Sequence, residues 1–321
     1  MVYRIDPRKS PAAELRRIAL DELDAALTSL ADPDAAGLDR SVHAVRKNCK
    51  RLRSLARLVR PALGGRYAQV NDDLRQAAAT LSPLRDAHAV LATFDVVLAA
   101  RGDRVPAHGL DDVRAALAAR ADIEQDPRSV DARLGRAATF LQRLCDDVDH
   151  WQLSDDLRVA IDSVAVYHGL ARTAFRESLD DPTDERLHEW RKRVKDCWHH
   201  TQLLAALAPS ALQPAERSLE RLSDALGDNN DLAVLGRLLR ESPDQFGRAQ
   251  ARDAAQIIQG VQHQLVRRCW PLGANVYAED RKAYRHRLRR YEQTYRTFGR
   301  ERRLGEIAVI FPAAGGGDCD H

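Results

Sequence analysis

Residues 42–60, VHAVRKNCKRLRSLARLVR, carry two chemically opposed faces at one helical period. Val42, Val45, Cys49, Leu52, Ala56 and Val59 recur at alternating steps of three and four, the spacing that gathers side chains into one apolar stripe on an α-helix. On a neighbouring face His43, Arg46, Lys47, Lys50, Arg53 and Arg57 climb one turn at a time, flanked by Arg40, Arg51 and Arg60. From residue 40 to residue 60 there are eight Lys or Arg and no Asp or Glu, so the counter-charge for this ladder must come from elsewhere. One face belongs in a core; the other is a row of cations.

The pattern returns at an offset of 145, as residues 187–204, LHEWRKRVKDCWHHTQLL. His43 maps to His188, Arg46 to Arg191, Lys47 to Lys192 and Lys50 to Lys195, while the apolar stripe maps to Leu187, Trp190, Val194, Cys197, Thr201 and Leu204. With no gap, the same offset lays LSPLRDAHAV (81–90) onto LGDNNDLAVL (226–235), pairing Leu81 with Leu226, Asp86 with Asp231 and Val90 with Leu235. Two segments forty residues apart that share one offset define an internal repeat, and hence two similar helical bundles about a pseudo-twofold axis.

The chain of 321 residues is 44% hydrophobic and 30% charged, the balance of a folded chain rather than a disordered one. Ala, Leu, Arg and Asp dominate and no run alternates with period two, so the class is all-α. Cys49, Cys145, Cys197, Cys269 and Cys319 are odd in number and form no CxxC pair, which suggests a reducing compartment. No apolar run nears the roughly 20 residues of a membrane helix, and MVYRIDPRKS lacks a signal-peptide core, so a cytoplasmic protein with no membrane partner is expected.

The net charge of +3 hides a segregation. Residues 40–60, 186–195 and 281–303 together hold 23 basic and 3 acidic groups, against 27 basic and 44 acidic in the rest. A cationic region inside an acidic shell focuses its field on a polyanion.

Along the chain, helices are expected at 11–31 (Ser10 as cap, Pro11 first), 42–60 (capped by Asp39 or Ser41), 66–82, 84–100, 110–121 and 129–149. GDRVPAHG (102–109) reads as a loop. The second half repeats the rhythm: 155–179, the second ladder capped by Thr183 or Asp184, a turn bracketed by Pro209 and Pro214, then 214–226, 231–240, 245–268 and 278–303. One domain is therefore expected over 8–303, with halves 8–150 and 151–303, and a disordered tail is expected at 304–321.

VHAVRKNCKRLR with LSPLRDAHAVL, and LHEWRKRVKDCW with LGDNNDLAVL, resemble the conserved histidine α-helical (CHAD) domain, whose halves each carry a His-x-x-Arg-x-x-x-Arg/Lys helix. The resemblance covers nearly all of residues 8–303. It implies two antiparallel four-helix bundles enclosing a basic central channel that binds inorganic polyphosphate. By that resemblance His43, Arg46, Lys50, Arg51 and Arg53 line one wall and His188, Arg191, Lys192 and Lys195 the other. The second half departs from the pattern where Asp196 and Trp198 replace Arg51 and Arg53, with His199 as a candidate substitute, and where Asn230 replaces Arg85.

The chemistry agrees independently. A helix offering a cation at each turn of about 5.4 Å can contact a linear polyphosphate repeatedly, with Arg as a bidentate fork and Lys as a mobile point charge. The matched His43 and His188 are read as functional. Asp86 and Asp231 either hold ladder side chains in place or simply cap the helices that follow. Trp190 and Trp198 are read as packing groups.

No phosphate-binding Gly loop, HExxH pair or metal-ligand spacing is present, nor the Glu-x-Glu-x-Lys of the triphosphatases that accompany the family, so no enzyme, cofactor or metal is expected. A nucleic-acid-binding helical protein is the alternative, disfavoured because no exposed aromatic residues interleave with the cations. A third reading is a scaffold that recruits granule-associated proteins to polyphosphate granules.

Overall fold

The computed structural model describes residues 3–33, 37–101, 110–122 and 126–298. The expected loop at 102–109, the end of the last helix at 299–303 and the tail at 304–321 lie outside the described residues. All regular structure among the described residues is helical. In order the helices are α1 (Pro11–Ala31), α2 (Leu38–Leu58), the one-turn α3 (Arg60–Leu63), α4 (Tyr67–Leu81), α5 (Asp86–Arg101), α6 (Leu110–Ala121), α7 (Pro127–Val148), α8 (Leu157–Asp180), α9 (Asp184–Leu204), α10 (Pro209–Glu241), α11 (Arg248–Val276) and α12 (Arg281–Phe298).

Local chemistry explains most boundaries. Ser10 Oγ accepts from the Ala13 N–H at 3.2 Å, with Pro11 in the first turn where its missing N–H costs nothing. Thr183 caps α9 by accepting from the Arg186 N–H at 3.3 Å. The ladder helix α2 starts earlier than its sequence suggests. Gly37, at φ 85°, is in the left-handed region and forms the N-cap without a side-chain bond. Asp39 therefore lies in the first turn, where its charge favours the helix dipole, and Ser41 Oγ instead donates to the Pro33 carbonyl at 3.1 Å.

The larger correction concerns 209–241. The expected turn between Pro209 and Pro214, and the break between helices 214–226 and 231–240, are absent: α10 is one 33-residue helix. Pro209 stands in its first turn, and Pro214 removes only the hydrogen bond to Ser210, whose exposed position lets water satisfy the carbonyl. Gly227-Asp228-Asn229-Asn230 reads as a turn but is held helical by Leu226 and Leu232 on either side, both buried. Asp231 consequently sits inside a helix and caps nothing. Asp86 is in the first turn of α5, with Arg85 in the cap position through its carbonyl to Ala89 at 3.0 Å.

Burial follows the stripes. Val42, Val45, Cys49, Leu52, Ala56 and Val59 are all buried, as are Leu187, Trp190, Val194, Cys197, Thr201 and Leu204. In the first half α1, α2, α4 and α7 pack as a closed ring around one core, which the N-terminal part of α8 and Tyr284 and Leu288 of α12 extend. In the second half α9 packs between α8 and α10, and α10 lies along α11, around Phe175, Trp190, Leu222 and Cys269. Trp190 is fully buried and stacks on Trp270 at 5.5 Å, a packing role as read. A separate core joins α5 and α6 to the C-terminal end of α10 and the start of α11. The length of α10 lets one helix serve both of these cores.

The halves also meet where α2 contacts α9. His200 Nε2 donates to the Ser54 carbonyl at 2.9 Å, and Arg57 Nη1 donates to Asp196 Oδ1 at 2.9 Å. These pairs run in opposite directions along the two helices, so the cationic faces of both halves are brought to one seam.

Candidate functional site

The apolar stripes fix the rotation of α2 and α9, and that rotation decides where each cation can reach. Arg46 Nη1 donates to the Ala78 carbonyl at 3.3 Å and to Ser82 Oγ at the end of α4. Its offset partner Arg191 lies against Gly227, the offset partner of Ser82; a β-carbon there would stand 3.8 Å from Arg191 Nε. That Nε is buried with no hydrogen-bond partner among the described residues.

The histidines repeat a contact as well. His43 Nδ1 lies 2.5 Å from Arg85 Nη1, and His188 Nδ1 lies 2.6 Å from Asn230 Oδ1, each across 42 residues of chain. A guanidinium can only donate, so His43 Nδ1 accepts and its proton sits on Nε2. The Asn230 carbonyl oxygen accepts, so His188 carries its proton on Nδ1. Burial, then Arg85 and Lys50, lower the His43 pKa, while Asp39, 3.3 Å from Arg85 Nε, opposes them.

Lys50 on α2 and Lys195 on α9 are also offset partners, and the charge of Lys195 acts on Lys50. Burial is the largest cause that lowers Lys50 to about 7, followed by Lys195, Arg191 and Arg46, with Asp231 opposing. Lys195 falls to about 8 through burial and then Arg191, against Asp224 and Asp231. Lys50 is nevertheless solvent-exposed.

Other ladder positions are employed differently. Lys47 is exposed beside this group, and Lys192, also exposed, pairs with Glu189. Arg53 Nε donates to Asn71 at 3.2 Å. Arg51 turns away: its Nη1 meets the buried Glu22 at 3.0 Å and its guanidinium covers the Tyr3 ring. Arg57 is held by Asp196. His199 is a correction to the sequence reading. It is buried against Tyr3 and Trp198, and burial drives its pKa down to about 3, so it supplies no charge to replace Arg51 or Arg53.

The sequence reading missed the acidic side of the site. Asp224, Asp228 and Asp231 lie at steps of four and three on exposed positions of α10 and act electrostatically on Arg191 or Lys195. Their spacing was visible in the sequence, but only a continuous α10 puts them on one face. Asp228 is raised by burial and then by Asp231 and Asp224. Asp86 occupies the Asp231 position in the first half, where Asp224 and Asp228 have no acidic equivalent.

Among the described residues no group of three or more His, Cys, Asp or Glu is arranged to hold a metal ion, and no helix is long and apolar enough to cross a membrane. A separate cleft of about 320 Å³ at the α10–α11 turn, lined by Arg240, Arg248 and Arg252, contains no ladder residue.

Comparison with known proteins identifies this all-helical fold. The CHAD domain family profile matches residues 17–240, and the chain belongs to that family. It is similar to the crystal structure of the CHAD domain from the plant Ricinus communis, with a TM-score of 0.59 and 21% identity over 89% of this chain and 94% of that one; this likeness concerns the fold. No curated protein matches the chain.

Proposed function

We propose that the chain binds inorganic polyphosphate in a basic channel between two pseudo-symmetric four-helix bundles, with α2 and α9 as its walls. The observation that carries this is the confrontation of Lys50 with Lys195 and Arg191. Three cations from the two halves are held together with no carboxylate within 4.0 Å of either lysine among the described residues. Like charges are kept at such a cost when a ligand of opposite sign offsets it.

Membership of the CHAD domain family supports the choice of polyanion. Arg46 and Arg191, seated on Ser82 and Gly227, would fork onto phosphate oxygens. Lys47, Lys50, Lys192 and Lys195 would supply point charges, with His43 and His188 one turn beyond. The pseudo-twofold axis would pass near Ser54, whose offset partner His199 adjoins the His200–Ser54 bond.

Binding proceeds without hydrolysis in this reading. A cytoplasmic protein that binds in this way would collect at polyphosphate granules and could bring granule-associated proteins with it. The test is a titration of long-chain polyphosphate against wild type and Lys50→Glu/Lys195→Glu. Loss of binding in the folded double variant is expected, and unchanged affinity would remove the channel from the mechanism.

A further inference from the structure

The cleft of about 320 Å³ at the α10–α11 turn lies away from the paired ladders. Arg240 on its wall stands thirteen residues beyond Gly227, about 20 Å further along α10 at the rise of a regular helix. The volume is that of a small-ligand site, and the side chains around it are sorted by chemistry.

The buried Leu239, Ala251 and Ala255 form an apolar floor. Three guanidiniums line the cleft and no carboxylate does. Arg248 meets Asp244 at 2.6 Å and Arg252 lies 3.7 Å from Asp253, but both pairs are exposed, and pairs of that kind contribute little and yield to a more highly charged partner. Arg240 makes no hydrogen bond or ion pair among the described residues. Its guanidinium folds back along α10, with Nη1 3.1 Å from where a β-carbon on Gly236 would stand, and so stays at the cleft.

The α11 wall has a direction. Arg248, Arg252, Gln256 and Gln259 follow at steps of four, four and three on one helix face, with the cations at one end and the carboxamides at the other. From Arg248 to Gln256 the helix rises about 12 Å. Arginine forks hold phosphate oxygens in bidentate fashion, and a carboxamide presents a donor beside an acceptor, which is what the edge of a polar heterocycle requires.

We propose that this cleft binds a nucleoside phosphate. The phosphates lie on Arg240, Arg248 and Arg252, the nucleoside covers Leu239 and Ala255, and the edge of the base reaches Gln256 and Gln259. Inorganic phosphate would leave the floor and the carboxamides unused, and an apolar carboxylate would leave the carboxamides and most of the charge unused. The site does not depend on the channel or on what the channel binds.

The experiment is calorimetric titration of ADP, without magnesium and at physiological salt, into the full-length wild type, Arg240→Ala and Lys50→Glu/Lys195→Glu. Arg240→Ala should weaken ADP about tenfold, the loss expected for one charged hydrogen-bonding group, and leave the affinity for long-chain polyphosphate unchanged. Lys50→Glu/Lys195→Glu should keep the wild-type affinity for ADP, and in that variant ADP should bind at least tenfold more tightly than pyrophosphate or adenosine. Absence of ADP binding, or equal affinity in wild type and Arg240→Ala, would overturn the site. That comparison stands whether or not the channel variant folds, since Arg240 is exposed and its truncation removes no packing from the core. ADP binding that survives Arg240→Ala and is lost in the channel variant would place the nucleotide in the channel and overturn the proposal. Pyrophosphate binding as tightly as ADP in the channel variant would overturn the assignment of a nucleoside. The polyphosphate titration reports on the channel alone.

Discussion

Arg57 on α2 donates to Asp196 on α9 at 2.9 Å, and Asp196 stands at the position that Arg51 holds in the first copy of the repeat. One inverted charge thus ties the halves together across the seam. Asp196 is 3% exposed and the Arg57 side chain 20%, so removing either partner leaves the other poorly solvated.

Asp196→Ala should therefore cost about 2–4 kcal/mol, near the lower range for breaking a buried pair. Asp72→Ala, which removes an exposed pair with Arg75, should cost less than about 0.5 kcal/mol. Urea unfolding of both variants decides it, and similar losses would show that the seam pair is no stronger than a surface contact.

Two glycines should respond with opposite sign. A β-carbon at Gly227 meets Arg191 at ordinary contact distance, 3.8 Å, so Gly227→Ala should stabilise α10 by about 0.5–1 kcal/mol through helix propensity. A β-carbon at Gly273 would stand 2.7 Å from both Phe175 and Trp190, so Gly273→Ala should destabilise by about 1–3 kcal/mol. Thermal unfolding reads both, and a loss at Gly227 would mean that α10 is strained there.

Lys50 makes stability and function pull apart. Its folded pKa is lowered to about 7 from 10.5, so the charged form is disfavoured in the fold. The resulting destabilisation is absent above the unfolded value, grows as pH falls from about 10.5 to about 7, and is complete below. Lys50→Met should raise the melting temperature at pH 6 and change it little near pH 10.5, while weakening polyphosphate binding. A lower melting temperature at pH 6 would show that Lys50 is not repelled.

The same titration sets the pH dependence of binding. A bound polyanion raises the pKa of Lys50 and Lys195 above about 7 and about 8, so binding takes up protons. Affinity should strengthen as pH drops from about 9 to about 7 and level off below about 6. Lys50→Arg/Lys195→Arg should flatten the profile and His43→Gln should not, because Arg85 occupies the His43 ring nitrogen that would take the proton. A profile that follows His43 instead would reverse the assignment.

These residues also mark how far the sequence could be read. Both apolar stripes, the caps at Ser10 and Thr183 and the matched positions of Lys50 and Lys195 are local periodic signals, and they were legible. The continuity of α10 was not, since Pro214 and Gly227 are breakers by propensity and only packing on α9 and α11 overrides them. Arg51 and His199 look like ladder groups by spacing. Their directions depend on the buried Glu22 and on Tyr3, which come from a different part of the chain. The acids of α10 needed the same tertiary information.

The most direct test is competition at physiological salt between long-chain polyphosphate and single-stranded DNA or RNA of matched charge, for wild type and for Lys50→Glu/Lys195→Glu. Wild type should prefer polyphosphate at least tenfold, with log affinity falling linearly with log salt, and the folded double variant should lose that preference. Equal affinity of wild type for nucleic acid and polyphosphate, or a double variant that binds as wild type does, would contradict a polyphosphate channel between α2 and α9.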